Sequence, residues 1–240
     1  MERFTAWLNQ HLIMCSEGQV DYFRKEYGRE SVCIPGAVNI PDLEHSYDSE
    51  ILMQHHLEPQ KFFLFMGRIV QDKNPDYLIQ AFMASRHEGY KLVVAGGNDA
   101  MLNYVGSLHE MAKDCGDIVF TGPVYGNDKE QLLRNAYCFC IPSTIEGLSI
   151  VLMEAASYKL PVIASDIEAN REFLGEDAIY VRPENKEDLT EAIEHAIAEP
   201  AQMRGFVENN YKKILGKYTW DKVAKKYEAY LEQIVRKNNR

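Results

Sequence analysis

The chain lacks any apolar run that approaches the roughly 18 residues needed to span a membrane. It has no signal-peptide pattern and no basic cluster. Its 36 acidic and 26 basic side chains give a formal net charge of -10 and a pI near 5.2. Nucleic acids and anionic membrane surfaces attract basic proteins, so both are disfavoured as general partners. We therefore expect no nucleic-acid partner and a cytoplasmic location, while a peripheral position at the inner face of the membrane stays open.

Cysteine is also scarce, with five residues: Cys15, Cys33, Cys115, Cys138 and Cys140. The number is odd, and the spacing matches no zinc motif. Cys138 and Cys140 alternate along a predicted strand, so their side chains share one face. We interpret the cysteines as buried free thiols in a reducing compartment rather than as disulfides or a metal site.

Several other ligand motifs are absent. Gly96-Gly97 lacks the spacing of a dinucleotide fingerprint, so we expect these glycines to let the chain turn close to a ligand. No Asp-x-Asp metal pair occurs in a suitable loop. His55 and His56 point in different directions on a helix, which favours solvated side chains over a metal site. We expect neither a metal nor a cofactor.

The pattern that is present is that of an α/β protein. The composition is 46% hydrophobic and 26% charged, which is typical of a globular chain. Short unbroken apolar runs alternate with amphipathic helical segments, which predicts a doubly wound, Rossmann-like, mostly parallel sheet followed by a C-terminal helix. Strands are predicted over 11–15, 31–34, 62–66, 90–95, 117–121, 137–141, 160–164 and 178–181. Helices are predicted over 3–10, 17–27, 50–56, 76–85, 99–113, 129–135, 150–158, 187–197, 201–215 and 220–235.

The most informative stretch is 143–155, which follows the predicted strand 137–141. We expect Gly147 to free the backbone in a tight loop and Ser149 to cap the helix that begins at residue 150. The start of a helix presents unpaired N–H groups and the positive end of the dipole, so it suits an anion.

Two carboxylates flank this helix start. Glu146 lies in the loop and Glu154 about one turn into the helix. Carboxylates are poor ligands for phosphate but accept hydrogen bonds from hydroxyl groups. A ligand that combines phosphates with many hydroxyls, such as a nucleotide-sugar, uses both features.

A pair of basic residues follows the predicted strand 62–66. Gly67-Arg68 comes directly after it, and Lys73 lies a few residues on. Ligands of open α/β sheets bind at the carboxyl ends of strands, and a diphosphate is well held by an arginine fork and a lysine charge. Taken alone, Arg68 and Lys73 are better explained as surface side chains on a loop. Because stretch 143–155 also suits a nucleotide-sugar, we favour a diphosphate site.

These strings resemble a known family. The family is that of the retaining GT-B glycosyltransferases of group 1, which are family 4-like. The C-terminal, donor-binding domain of these enzymes carries an E-x7-E signature, which resembles Glu146-Gly147-Leu148-Ser149 followed by Glu154-Ala155. Gly67-Arg68 and Lys73-Asn74-Pro75 resemble the diphosphate-binding pair of that family. The resemblance runs from about residue 31 onward. An ordinary helix with two solvated glutamates is the weaker alternative.

The resemblance implies roles for single residues. It implies that Glu154 binds the ribose hydroxyls and that Glu146 contacts the donor sugar. Arg68 and Lys73, with backbone N–H groups near 148–151, would stabilise the departing diphosphate, so Arg68, Lys73 and Glu146 form the catalytic set. The donor-binding residues would be Gly67, Val124, Gly147, Leu148, Ser149, Ile150 and Glu154. For Ser149 we favour the role of a helix cap.

Two neighbouring segments are less certain to bind a ligand. Val124 and Tyr125 lie in a loop that faces the nucleotide base in the family, and a tyrosine that covers the edge of the core is an equal alternative. Glu168, Asn170 and Glu172 follow the strand 160–164, and we interpret them as a polar surface turn.

The resemblance also implies a domain division. Residues 1–41 are expected to be the end of an N-terminal GT-B domain and its linker, because the string 34–39 resembles a loop of that region, with Ala37 in place of a glycine. Residues 42–218 form the nucleotide-sugar-binding domain and 219–240 a crossover helix. Its apolar stripe is expected to be partly exposed or to form a dimer contact; it comprises Trp220, Val223, Tyr227, Tyr230 or Leu231, and Ile234.

The sequence thus predicts the donor domain of a retaining, metal-independent hexosyltransferase of carbohydrate biosynthesis. Its donor would be a UDP-, GDP- or ADP-sugar and its acceptor a sugar or glycan. Two alternatives stay open: a non-catalytic nucleotide-sugar-binding module that needs a partner acceptor domain, and a sugar-nucleotide epimerase of the same fold.

Overall fold

The computed structural model describes residues 2–44 and 50–238, so residue 1, residues 45–49 of the predicted nucleotide-sugar-binding domain and residues 239–240 of the predicted crossover helix lie outside it. Its largest sheet has six parallel strands in the order β5-β4-β3-β6-β7-β8. The strands are β1 (Ile13–Met14), β2 (Val32–Cys33), β3 (Phe62–Met66), β4 (Lys91–Ala95), β5 (Ile118–Gly122), β6 (Cys138–Ile141), β7 (Val162–Ser165) and β8 (Ile179–Val181). The doubly wound α/β fold is confirmed.

Helices connect the strands and cover both faces of the sheet. They are α1 (Glu2–Leu8), α2 (Glu17–Tyr27), α3 (Glu50–Gln54), α4 (Pro75–Ala84), α5 (Leu102–Ala112), α6 (Gly126–Asn135), α7 (Ile150–Ser157), α8 (Glu168–Leu174), α9 (Lys186–Ala198), α10 (Pro200–Lys213) and α11 (Trp220–Asn238). Every predicted strand and helix is present, although several ends shift by one to three residues. Asp99–Met101 is a separate 3-10 turn, and Ile214–Tyr218 is a π-helical turn.

The central strands are buried on both faces, as their unbroken apolar runs predict. In β3, Phe62 and Leu64 contribute to the core on the α7 side, whereas Phe63 and Phe65 contribute to the core on the α4 and α9 side. All five residues of β3 are buried. Because side chains alternate along a strand, one apolar run fills two cores.

The strand order reverses between β3 and β6. From β3 the chain proceeds outward through β4 and β5, and from β6 it proceeds the other way through β7 and β8. The loops that follow these two adjacent strands therefore diverge and leave a crevice at the carboxyl edge of the sheet.

The N-terminal segment packs beside this sheet. Strands β1 and β2 pair in parallel, with Ile13 opposite Val32. The Glu172 carboxylate accepts hydrogen bonds from the backbone N–H groups of Glu17 (2.8 Å) and Gly18 (3.2 Å) at the start of α2. Glu172 thus ties α2 to α8. The proposed domain boundaries remain predictions.

The last helix buries only part of its apolar stripe. Val223 is 4% exposed, whereas Trp220 is 59% and Leu231 54% exposed. Tyr230 makes an edge contact with the ring of His11, at 6.3 Å between ring centroids. The expected partial exposure is confirmed. None of the described helices is both long and apolar enough to cross a membrane.

Two local predictions are corrected. Helix α6 begins at Gly126, whose φ is 52°, three residues before its predicted start at residue 129. All five cysteines are free, and Cys138 and Cys140 are buried as expected. The other three are only half-buried, because they lie where the N-terminal segment and α5 meet the surface.

Candidate functional site

Two adjoining cavities open at the crevice between β3 and β6. One has a volume of about 390 Å³ and the other about 310 Å³. Both are lined by Gly67, Arg68 and Val151, so they form two halves of one cleft. The loops after β3, β4, β5 and β6 all contribute to it, which places the cleft where ligands of open α/β sheets bind.

The larger cavity holds an ion pair between the two predicted motifs. Lys73 Nζ, in the 3-10 turn after β3, contacts Glu146 Oε1 in the loop after β6. The Glu146 side chain is 7% exposed and that of Lys73 is 22% exposed. Two residues that are 73 positions apart in sequence are therefore neighbours inside the cleft.

The smaller cavity holds a second pair. Lys129 Nζ, near the start of α6, lies 2.6 Å from Glu154 Oε1 on α7. Val124 and Tyr125 line the same cavity, as does Gly97 after β4. The structure thus brings Glu154, which is predicted to bind the ribose, next to Val124 and Tyr125, whose loop is predicted to face the nucleotide base.

Arg68 lies between the two cavities and is exposed. It forms no ion pair with any residue in the described ranges 2–44 and 50–238. With Lys73 and Lys129 the cleft has three cationic side chains against the two carboxylates of Glu146 and Glu154, a surplus of one positive charge. An acidic protein therefore presents a locally positive cleft, as a polyanion site requires.

The start of α7 completes the wall of the larger cavity. Leu148, Ser149, Ile150 and Val151 all line it. Ser149 occupies the N-cap position with φ -73° and ψ 116°, but its hydroxyl makes no capping hydrogen bond. The prediction of a side-chain cap is therefore wrong, and the first N–H groups of α7 keep their capacity to bind an anion.

A buried asparagine joins the two loops that carry the charged residues. Asn74 Nδ2 donates to the carbonyl oxygen of Pro142 (2.9 Å) and to Thr144 Oγ1 (2.8 Å). The Thr144 N–H donates to the carbonyl oxygen of Asp72 at 2.8 Å. These bonds hold the loop of Lys73 against the loop of Glu146.

Gly147 is needed for a different reason from the one predicted. Its φ lies outside the left-handed region, so it does not supply an unusual backbone conformation. A Cβ atom there would lie 3.2 Å from Gln19 Nε2 and 3.4 Å from Cys15 Sγ. The absent side chain lets the N-terminal segment approach the loop of Glu146.

The glycine after β4 permits a closer approach. A Cβ atom on Gly96 would lie 1.8 Å from the carbonyl oxygen of Gly67. The Gly67 N–H donates to the carbonyl oxygen of Ala95 at 3.0 Å, which holds the two backbones together. The glycine loop therefore lets the chain pass close to the backbone beside Arg68.

Two alternatives from the sequence are also resolved. Tyr125 is 80% exposed beside the smaller cavity, so it does not cover the edge of the core; Val124 packs against the core instead. Asn170 is 1% exposed and donates to the carbonyl oxygen of Ser165 at 2.9 Å, so the interpretation as a surface residue is wrong for it. Its side-chain amide can be buried because it is hydrogen-bonded to the Ser165 carbonyl oxygen at the carboxyl end of β7.

Neither the place of Lys129 in the cleft nor the bridging role of Asn74 is predicted from the sequence. Lys129 had a usable signal, since it follows the predicted base loop near the start of a helix. Asn74 precedes a proline and has a left-handed φ of 50°, a conformation that asparagine tolerates well. Across the described part of the chain, no group of three or more His, Cys, Asp or Glu side chains is arranged to hold a metal ion.

Comparison with known proteins gives concordant matches. Residues 48–213 match the family described as glycosyl transferases group 1. An uncharacterised glycosyltransferase of Methanocaldococcus jannaschii is 30% identical over 192 residues, which cover 77% of this chain and 48% of that protein. The O-antigen chain mannosyltransferase RfbU of Salmonella typhimurium is 29% identical over 170 residues, covering 68% of this chain and 45% of RfbU.

A solved structure shares the fold. The crystal structure of Anabaena HepE in complex with UDP and glucose superposes with a TM-score of 0.82 at 18% identity. The match covers 93% of this chain and 63% of HepE. The chain thus spans about half the length of the two sequence relatives and under two thirds of this structure.

Proposed function

Because the chain belongs to the group 1 glycosyltransferase family, we propose that it is the donor-binding part of a retaining, metal-independent glycosyltransferase that uses a nucleoside-diphosphate sugar. One observation carries this proposal. The cations of Arg68 and Lys73 and the start of α7 share one cleft with the carboxylates of Glu146 and Glu154. The first group suits a diphosphate and the second suits sugar hydroxyls.

The diphosphate would lie in the larger cavity. Cleavage of a sugar–diphosphate bond leaves growing negative charge on the diphosphate and an oxocarbenium-like sugar. Arg68 is free to form a fork to the phosphates, and Lys73 lies on the same wall. Fixed positive groups aimed at the developing charge lower the barrier, and the loss of one such donor costs about 10²- to 10³-fold in rate.

This distribution of charge also supports the proposed independence from metal. The guanidinium, the ammonium group and the helix start would supply the positive charge that a bound divalent cation can otherwise provide to a departing diphosphate. We propose that retention proceeds by attack from the face of the leaving group, assisted by the departing diphosphate. Glu146, 7% exposed and paired with Lys73, would then orient the donor sugar through its hydroxyls.

The nucleoside would occupy the smaller cavity. Glu154 would accept hydrogen bonds from the ribose hydroxyls, and the base would lie against Val124 and the exposed ring of Tyr125. The relatives include a mannosyltransferase, which supports a hexose donor, and HepE was crystallised with UDP and glucose, which supports a UDP-sugar. A GDP-sugar is the second candidate donor. An ADP-sugar remains the third candidate donor.

Calorimetric titration with UDP, GDP and ADP tests the proposal. We expect one of the three to bind the wild-type chain, and Arg68→Ala and Glu154→Ala to weaken that binding by at least tenfold. Lys113→Ala is the matched control, since Lys113 pairs with Glu110 on the surface, away from the cleft. Failure of the wild type to bind any of the three, or equal binding by the cleft variants, would contradict the proposal.

A non-catalytic nucleotide-sugar-binding module is the second candidate, because every charged group that lines the cleft can bind a donor whether or not the donor is cleaved. Such a module would bind the donor without cleaving it. Incubation of the chain with the sugar form of the nucleotide that it binds, followed by NMR, separates the two. Release of free sugar or its transfer to an acceptor supports the enzyme, and an unchanged donor supports the module.

A further inference from the structure

Lys129 is directed at the carboxylate that the proposed function assigns to the ribose. Its Nζ lies 2.6 Å from Glu154 Oε1, a short distance for a charge-assisted hydrogen bond. The Lys129 side chain is 32% exposed and that of Glu154 is 23% exposed. A pair that is this sheltered is screened less by solvent than a pair on the open surface.

The bond to Lys129 engages one oxygen of Glu154. It leaves Oε2 as the acceptor that Glu154 presents to the smaller cavity, which both residues line. Lys129 is held on another helix, α6, so its hydrogen bond restricts the rotamer of Glu154 and the direction in which the second oxygen points.

We propose that Lys129 is a positioning residue that holds Glu154 with one oxygen directed at the ribose diol of the donor. This inference rests on the proposed function. Lys129 does not need to contact the nucleotide in order to act. Its effect on affinity depends on the presence of both Glu154 and the ribose hydroxyls.

The test compares two ligands on four proteins. The ligands are the nucleoside diphosphate that the wild-type chain binds and its 2′,3′-dideoxy analogue, which lacks the diol. The proteins are the wild type, Lys129→Met, Lys129→Arg and the control Lys159→Met. Lys159 pairs with Glu208 at 2.8 Å on a surface outside the cleft.

We expect Lys129→Met to bind the intact diphosphate about tenfold more weakly, since hydrogen bonds to charged groups are the stronger ones. The same variant should bind the dideoxy analogue as the wild type does. Lys129→Arg should recover most of the loss, because its guanidinium keeps the charge and the donor groups. Lys159→Met should bind both ligands normally.

A second arm uses Glu154→Gln. If Lys129 acts through Glu154, adding Lys129→Met to Glu154→Gln should cause no further loss of affinity. Equal losses for both ligands, or a further loss in the double variant, would overturn the inference and assign Lys129 to the phosphates or the base. Wild-type affinity of Lys129→Met for the intact diphosphate would also overturn the inference. Failure of the wild type to bind either ligand would instead overturn the proposed function.

Discussion

Asn74 donates from one amide group to the carbonyl oxygen of Pro142 and to the hydroxyl of Thr144, across 68 and 70 positions of sequence. It thereby fixes the distance between the loop of Lys73 and the loop of Glu146. The residue is 3% exposed, so its hydrogen bonds are sheltered from water. Together with the hydrogen bond from the Thr144 N–H to the Asp72 carbonyl oxygen, this side chain sets the relative position of the two loops.

Asn74→Ala should lower the free energy of unfolding by about 1–3 kcal/mol, because it leaves the Pro142 carbonyl without its partner and places alanine at a left-handed φ. Urea denaturation measures the loss. Asn103→Ala, on an exposed position of α5, should change the stability by less than about 0.5 kcal/mol. Equal stability of the two variants would show that the loop contact is not important for folding.

Gly96→Ala should strongly lower the free energy of unfolding. The new Cβ atom would lie 1.8 Å from the carbonyl oxygen of Gly67, so β4 or the loop beside Arg68 must move. We expect a loss of at least about 1–3 kcal/mol, the usual cost of overpacking, or failure to fold. Thermal unfolding followed by circular dichroism measures it.

Gly106→Ala is the matched control for that experiment. Gly106 lies inside α5, and a Cβ atom there would have nothing within 4 Å. Alanine is the better helix former, so this variant should be more stable by roughly 0.5–1 kcal/mol. A similar response of the two glycines would mean that the close approach of Gly96 to Gly67 does not limit the structure.

The thiols should react in an order set by burial. Burial, together with the charge of Glu17, raises the pKa of Cys33 to about 11, and burial raises the pKa of Cys138 well above its ordinary value. Because the thiolate is the reactive form, these two should be alkylated slowly at pH 8. Iodoacetamide labelling followed by mass spectrometry should find Cys15 and Cys115 modified first.

Full labelling of all five cysteines is expected only in denaturant. Rapid alkylation of Cys138 in the folded protein would contradict its burial in β6.

Acid should weaken one ion pair on the surface of α9. Hydrogen bonds from the Arg182 side chain and backbone N–H hold the pKa of Asp188 at about 2, below its ordinary 3.8. A carboxyl whose pKa is depressed in the folded state stabilises the fold above its unfolded pKa and loses that contribution as the pH falls. The stability difference between wild type and Asp188→Asn should therefore be full at pH 5 and should shrink between about pH 4 and pH 2.

Urea denaturation at pH 5, 4, 3 and 2 measures this difference. Glu187→Gln is the control, because Glu187 is 73% exposed and lies 3.8 Å from its partner Lys186. A stability difference for Asp188→Asn that stays constant over the whole range would show that the Arg182 pair does not act as described.

The sequence alone determined the class of fold and the order of its elements. Short unbroken apolar runs such as Phe62–Met66 are typical of parallel strands buried on both faces, and the helical segments between them leave few topologies. It also determined which residues carry charge at the carboxyl ends of strands, namely Arg68, Lys73, Glu146 and Glu154.

Only the tertiary structure decided how those charges pair. The contacts of Lys73 with Glu146 and of Lys129 with Glu154 join residues 73 and 25 positions apart, and no local pattern encodes such distances. The same holds for Gly147, which is required only by what approaches it, whereas Gly96 is required both by its φ of 152° and by the close carbonyl oxygen of Gly67. Local sequence sets what a segment prefers to be, whereas packing between distant segments sets what each side chain meets.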